Sequence, residues 1–418
     1  MPLGIAPALR LGAPGGPKAY AEAGAWFDFQ AGFVWVNGVA GDMASLVTCS
    51  RASTALFHGS DLAWRSFGNN VLRRTDFGIL REEARTNKCR NVNANPDGAL
   101  TNISKSGDTA ATLAEVDDMV ALVAAGLQHI CTSGKVFLLD NSAGSSNAFA
   151  VVAGEAGNTS IHTVSGYVRG AGTGIVDIHV GSGPTASATL TASYQRIFAS
   201  AAVSNSTASL RVRAPAGSVV YFILTQYEEA ISPSSPIVVA GAAASRAADS
   251  ITVPLGSWFN QNEGTFLAWA RPAPGAAVAN GASNVVSTYG AGSGNRATLV
   301  LDNNASFAGT PRADLVSNGV TASSATNAAD AFALGSTARK KIVMRYALNS
   351  LAVSTDGGPA RTQGVAPLPL LAMETLGIGH FASTGVNSFA GMSLIIERIA
   401  YFPRAFTNAE LQSLSAAA

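Results

Sequence analysis

Charge is what this 418-residue sequence has least of: Asp, Glu, Lys and Arg together make 13% of it, against roughly 25% in an average globular protein. Ala, Gly, Ser and Thr fill the difference. That composition suits tightly packed β layers and large protein contacts, where burying charge is costly. The formal net charge is +1, and no run clusters Lys and Arg as a phosphate backbone demands, which argues against nucleic-acid binding. Cysteine is also scarce. Cys49, Cys89 and Cys131 cannot all pair within one chain, and none stands in a CxxC or beside histidine at zinc spacing. Buried free thiols and folding in a reducing cytoplasm are expected. No apolar run is long enough to cross a bilayer. Residues 1–25 are rich in Pro, Gly and Ala and lack the basic start and apolar run of a secretory signal. Neither membrane insertion nor an export signal is expected.

Recognisable chemistry is missing too. The five histidines are His58, His129, His162, His179 and His380, and no two form an i, i+4 pair or an HExxH. No Gly-x-Ser-x-Gly elbow stands between a strand and a helix. The glycine-rich piece Tyr289 to Gly294 lacks the Lys-Ser/Thr ending of a phosphate loop. Glu82/Glu83, Asp117/Asp118 and Glu228/Glu229 are adjacent carboxylates, but neighbours on a strand point to opposite faces and make no catalytic pair. The expectation is a non-enzyme with no metal and no cofactor; Asp302-Asn303-Asn304 is the only run suggestive of calcium, and turn formation explains it as well.

What is present is a succession of short strands. Trp26 to Phe29, Phe33 to Val36 and Ser45 to Thr48 are apolar pieces punctuated by Gly and Asn. Val136 to Leu139, Ala148 to Val152, Ile161 to Arg169, Ile175 to Val180, Ser193 to Phe198, Ala208 to Val212 and Val219 to Leu224 have strand composition or alternate. Their spacing of about ten residues, with Gly/Ser turns between, predicts a sandwich or jelly roll. Leu113 to Leu127 alone permits a short helix. Further on come Gly264 to Arg271, Ala297 to Leu301, Lys340 to Tyr346, Ser350 to Ser354 and Phe389 to Ile399. Asp356-Gly357-Gly358 reads as a hairpin turn. Thr407-Asn-Ala-Glu410 is a capping box that starts a helix carrying Leu411 and Leu414 on one side.

Several charged elements bracket these strands: Cys49-Ser50-Arg51-Ala52-Ser53, Arg73-Arg74-Thr75-Asp76, Gly78-Ile-Leu-Arg-Glu-Glu-Ala-Arg-Thr-Asn87, Gln226-Tyr-Glu-Glu229 and Ser245-Arg246-Ala247-Ala248-Asp249. Their order resembles bacteriophage virion proteins (fibres, spikes and appendages), in which such elements bracket a carbohydrate-binding-like sandwich. Ser165 to Val168, Tyr194 to Arg196 and Tyr221 to Glu228 resemble the internal pattern of that sandwich. Residues 246–418 resemble a concanavalin-like (laminin-G-like) lectin/glucanase domain down to its closing Arg-x-Phe and T-x-x-E-L-x-x-L, although the Glu-x-Asp-x-x-Glu strand motif of the glucanases is absent. The implied fold is all-β: two sandwich or jelly-roll domains in series behind an extended N-terminal arm. The expected boundaries are 1–25 for the arm, 26–91 for a β-rich lead-in segment, 92–245 for the carbohydrate-binding-like jelly roll and 246–418 for the lectin-like sandwich.

The resemblance implies a structural clamp at the domain junctions, formed by Glu82, Glu83 and Arg85, pairing with Arg73, Arg74 or Asp76, and by Arg246 with Asp249. Sugar binding usually uses an exposed aromatic platform. Trp258 and Phe259 in a Ser/Asn/Gln-rich turn, Tyr289 in a Gly-rich loop, and His380 and Phe381 beside a Ser/Thr/Gly loop are the candidates, with packing at a junction as the plainer explanation. The expected role is a virion appendage that adheres non-catalytically to a host-surface glycan. It would be made in the host cytoplasm, displayed as a homotrimer on the virion surface and anchored to other virion proteins through the arm. A purely structural decoration protein and a polysaccharide depolymerase are the alternatives.

Overall fold

The structure is a computed structural model that describes residues 22–90, 100–179, 185–274, 281–290, 295–303, 311–317, 320–325, 336–347, 349–364, 373–380 and 393–416. It is all-β and built of sandwiches. One sandwich packs two five-stranded antiparallel sheets. The first runs Ile103–Gly107, Ala148–Val152, Ser209–Ala214, Thr173–His179, Thr185–Thr189; the second runs Thr112–Asp117, Lys135–Asn141, Ser218–Glu228, Ile161–Ala171, Gln195–Ala202. Alternate residues point inward, so Phe137, Leu139, Ala148, Ala150, Val152, Leu210, Val212, Val220 and Phe222 share one core. The stretch 113–127 is divided: Thr112–Asp117 is consumed as a strand by Lys135–Asn141, and only Met119–Ala124 is helical.

The other sandwich sets a ten-stranded sheet against a seven-stranded one. At the centre of the larger sheet, Leu394–Phe402 pairs with Glu263–Pro272 on one side and with Ala25–Asp28 and Gly78–Arg81 on the other. Both faces of Glu263–Pro272 are covered. Phe266, Ala268 and Ala270 enter the core between the sheets, while Leu267 and Trp269 meet Leu411 and Leu414 of the closing helix. Double coverage explains why this strand reads as an unbroken apolar run rather than alternating. The helix Asn408–Ala416 begins with the expected box: Glu410 N–H donates to Thr407 Oγ1 at 3.3 Å, and Thr407 N–H donates to Glu410 Oε2 at 2.7 Å. Asp356 (φ 48°) and Gly357 (φ 82°) lie in the left-handed region between Ser350–Thr355 and Arg361–Gly364, where only a hairpin turn of this type puts them.

The lead-in segment does not stand apart. Ala25–Asp28, Phe33–Val36, Val39–Asp42 and Gly78–Arg81 belong to the ten-stranded sheet, and Thr48–Ser50 edges the seven-stranded one against Ser250–Pro254. Ala25–Asp28 and Gly78–Arg81 pair with Leu394–Phe402, more than 300 residues downstream, a pairing that local periodicity does not reveal. The end of the expected arm is likewise part of the sandwich, since Gly24 N–H donates to Tyr401 O at 2.9 Å; residues 1–21 lie outside the described residues. The three cysteines are free and buried, and burial pushes the Cys49 thiol up to about 11 and Cys89 up to about 12.

Candidate functional site at the junction between the sandwiches

The chain leaves one sandwich for the other at Arg85–Asn87 and returns at Ala244–Arg246, and these two short strands pair with each other. The charged elements bracketing the domains converge here. Arg51 donates to Asp249 at 2.6 Å and also reaches Ser53 O and Gly68 O. Arg73 donates to Glu82 at 2.6 Å and through its other terminal nitrogen to Asp249. Arg246 lies 3.1 Å from the same Glu82 oxygen and donates to Glu83 O at 2.7 Å. The backbones lock as well: Asp249 N–H donates to Glu82 O, Glu82 N–H donates to Asp249 Oδ2, and Ala247 N–H donates to Ser53 Oγ.

All five charged side chains of this network are at most 2% exposed. A buried ion is tolerable only when it is paired and its remaining valences are satisfied. Glu82 meets that condition with Ser235 N–H at 2.7 Å and Ser393 Oγ at 3.2 Å. Burial alone would raise its carboxyl, but Arg246 and Arg73 outweigh burial and hold it far below the usual carboxylate range. Burial would lower Arg73, and the carboxylates of Asp249 and Glu82 reverse that into a net rise. Burial, with Arg73 adding to it against the pull of Glu82, lowers Arg246. Glu228, buried and held by Ser234 N–H at 3.0 Å, is a further carboxylate acting on Arg246. Three arginines thus face three carboxylates.

Asn87 closes the far side. Its carboxamide oxygen accepts from Cys89 N–H and Tyr227 N–H, and its nitrogen donates to Thr225 O and Ile237 O. Gln226 takes Ile237 N–H at 2.8 Å. Asn87 therefore pins the jelly-roll strand Ser218–Glu228 to the ribbon, and Gln226 ties that strand to the segment at Ser234 to Ile237.

Of the clamp residues expected from sequence, the structure brings Glu82, Arg246 and Asp249 together with Arg73. Glu83 instead pairs with Arg81, Arg74 reaches Gln30 O, and Asp76 is taken by Ser60. Arg85 donates only to Ala84 O, at 3.0 Å, among the described residues. Arg51 and Arg73 carry the network and stood in the quoted elements; their pairing with Asp249, 198 and 176 residues away, left no local signal.

Beside the network an open groove of about 620 Å³ runs along the ribbon, lined among others by Ser53, Arg85, Thr86, Lys88, Glu229 and Ser245. Lys88 lies 3.5 Å from Glu229 and 3.0 Å from His162 Nε2. Thr86 Oγ1 and Ser245 Oγ are 2.8 Å apart.

The aromatic candidates are elsewhere and inside. Trp258 and Phe259 fold back into the core between the ten- and seven-stranded sheets, with ring centroids 5.4 and 5.0 Å from Tyr401. Tyr346 Oη donates to Asn260 O at 2.6 Å, fixing the turn that holds them. Tyr289 and His380 have ring centroids 6.4 Å apart. His380 Nε2 sits 3.0 Å from both N and O of Ile251, and burial, aided by Arg81, lowers its pKa to about 4. With these four residues at most 8% exposed, none offers a ring face to a sugar in the single chain. Phe381 lies outside the described residues, as do Asn304 and Ala291 to Gly294. Among the described residues no three His, Cys, Asp or Glu gather as metal ligands, and no helix is long and apolar enough to cross a membrane.

No family profile and no curated protein matches this sequence. Solved structures show partial likeness. The receptor-binding domain of botulinum neurotoxin mosaic serotype C/D is 11% identical over 40% of this chain and 39% of that one, with a TM-score of 0.31. The CBM40 of Ruminococcus gnavus IT-sialidase, bound to α2,3 sialyllactose, is 15% identical over 37% of this chain and 84% of that one, with a TM-score of 0.30. The NanB sialidase of Streptococcus pneumoniae is 12% identical over 39% and 26%, also at 0.30. The chain spans about two fifths of the neurotoxin binding domains it matches. What those proteins bind is a property of theirs.

Proposed function

We propose that this chain is a non-catalytic adhesion protein of a phage or phage-like particle and that it binds a host-surface glycan in the groove along the Arg85–Asn87 and Ala244–Arg246 ribbon. The observation that carries the reading is the groove itself: an open cleft lined by hydroxyls and charged side chains, on a junction made rigid by buried ion pairs. A rigid, hydrogen-bonding cleft suits a polyhydroxylated ligand because little ordering entropy opposes binding. The particle assignment is supported by the order of the bracketing elements in the sequence. Display as a trimer would multiply weak sites into avidity. Glycoside cleavage calls for two carboxyl groups across the bond, and Glu229 is the single carboxylate among the described lining residues.

The burial of Trp258, Phe259, Tyr289 and His380 favours a second reading, a decoration protein that braces a particle without touching a receptor. Labelled protein on candidate host cells, before and after periodate oxidation of surface sugars, separates the two. Periodate-sensitive binding supports adhesion; a folded protein that binds no host cell supports the brace.

A further inference from the structure

The donors and acceptors of the groove do not balance, and the imbalance has a sign. Among the described residues that line the groove, the other charges have counter-charges: Arg246 faces Glu82, and Lys88 faces Glu229. Arg85 has none among the described residues. Its one hydrogen bond goes to the neighbouring Ala84 O, and its Nε is buried without a partner. Arg85 is moreover the cross-strand partner of Arg246. The hydroxyls lean the same way. Ser53 Oγ accepts Ala247 N–H, which leaves its own hydrogen to donate. Thr86 and Ser245 share one hydrogen bond between two hydroxyls, so one hydroxyl hydrogen is spare. Glu229, the acidic member, is already engaged by Asn158 Nδ2 at 2.9 Å and by Lys88.

Resting on the adhesion reading above, we propose that the groove selects acidic saccharides: Arg85 binds the anionic group of the sugar, carboxylate or sulfate ester, and the spare hydroxyls of Ser53 and of Thr86 or Ser245 donate to its other oxygens. A guanidinium meets a planar carboxylate through two parallel hydrogen bonds, which gives the site geometric as well as electrostatic selectivity. A neutral glycan leaves Arg85 unmatched beside Arg246.

The test is calorimetric titration of the full chain with trigalacturonate and 3′-sialyllactose as carboxylates, a sulfated dextran oligosaccharide as the sulfate ester, and carboxyl-reduced trigalacturonate and maltotriose as neutral probes. We expect at least one acidic probe to bind, to weaken as salt rises, and to lose tenfold or more in affinity in Arg85→Ala, with the neutral probes at least tenfold weaker on the wild type. Which acidic probe binds distinguishes carboxylate from sulfate. Arg85→Gln, which keeps the stem, and Ser53→Ala repeat the measurement should Arg85→Ala fail to fold. Acidic binding that these variants leave unchanged overturns the proposal, as do neutral probes that bind equally well and a folded wild type that binds no acidic probe. Periodate-sensitive adhesion to cells that persists in a folded Arg85→Ala protein sinks this inference and leaves adhesion standing.

Discussion

The two sandwiches are assembled in opposite ways. The jelly roll is a continuous stretch: all its strands lie between Ile103 and Glu228. The sandwich of ten- and seven-stranded sheets is discontinuous, taking strands from Ala25 to Arg81 and again from Ser250 to Phe402. The jelly roll is thus inserted into its neighbour, and the ribbon of Arg85–Asn87 with Ala244–Arg246 is where the chain crosses out and back. This difference gives the bracketing elements a physical reason. Glu82 stands just before the outward crossing, Arg246 ends the returning strand and Asp249 follows it, so the Glu82–Arg246 pair and the Arg73 shared by Glu82 and Asp249 fasten the two crossings together.

The sharpest way to break the comparison is to separate the units. Residues 88–241 alone should melt cooperatively by circular dichroism. Residues 246–418 alone should show no cooperative transition, because Leu394–Phe402 loses its partners Ala25–Asp28 and Gly78–Arg81, and Ser250–Pro254 loses Thr48–Ser50. Next in size is the fastening. Arg73→Met should destabilise the whole chain by about 3–5 kcal/mol in urea titration, since it strands buried Glu82 and Asp249 without their shared cation.

A third experiment uses acid. His380, in the discontinuous unit, has a folded value of about 4 against 6.5 ordinarily. Between those values the unfolded chain carries the extra proton, so stability falls as pH drops from about 6.5 to about 4, by up to roughly 3 kcal/mol. Glu82 is depressed, so its contribution is complete above 4.5 and is lost only below that value. Urea titrations between pH 4.5 and 7 therefore report histidine, and His380→Gln should flatten them. His58, also lowered by burial, works in the same direction and leaves a residual slope. The smallest effect is at the C-terminal helix, where Thr407→Ala should cost about 1 kcal/mol by the same titration.

Strands, the hairpin at Asp356-Gly357 and the box at Thr407 were legible because each is a matter of neighbours in sequence. The sandwich class followed from them. The membership of Ala25–Asp28 was not, because the strand that buries it is Leu394–Phe402. The candidate site divides the same way. Glu82, Arg246 and Asp249 were expected as a clamp from the resemblance of the elements that carry them, not from their spacing. The groove-lining hydroxyls of Ser53, Thr86 and Ser245 are ordinary residues that acquire meaning only when the crossing strands meet. Trp258 and Phe259 misled because a Ser/Asn/Gln-rich turn looks exposed. Its polar atoms are instead used on Tyr346, Tyr401 and Pro403, and the rings turn inward.

Insertion also sets an order of events during synthesis. Asp28 and its partner Arg398 are 370 residues apart, which at roughly 5–20 residues per second is on the order of a minute of translation. Through that interval Ala25–Asp28 and Gly78–Arg81 have left the ribosome with no central strand to join, and their free edges are open to other chains. The jelly roll can complete itself meanwhile from contiguous sequence, because all its strands lie between Ile103 and Glu228. The strands of the inserted domain are therefore all made before the strand that completes the enclosing sandwich.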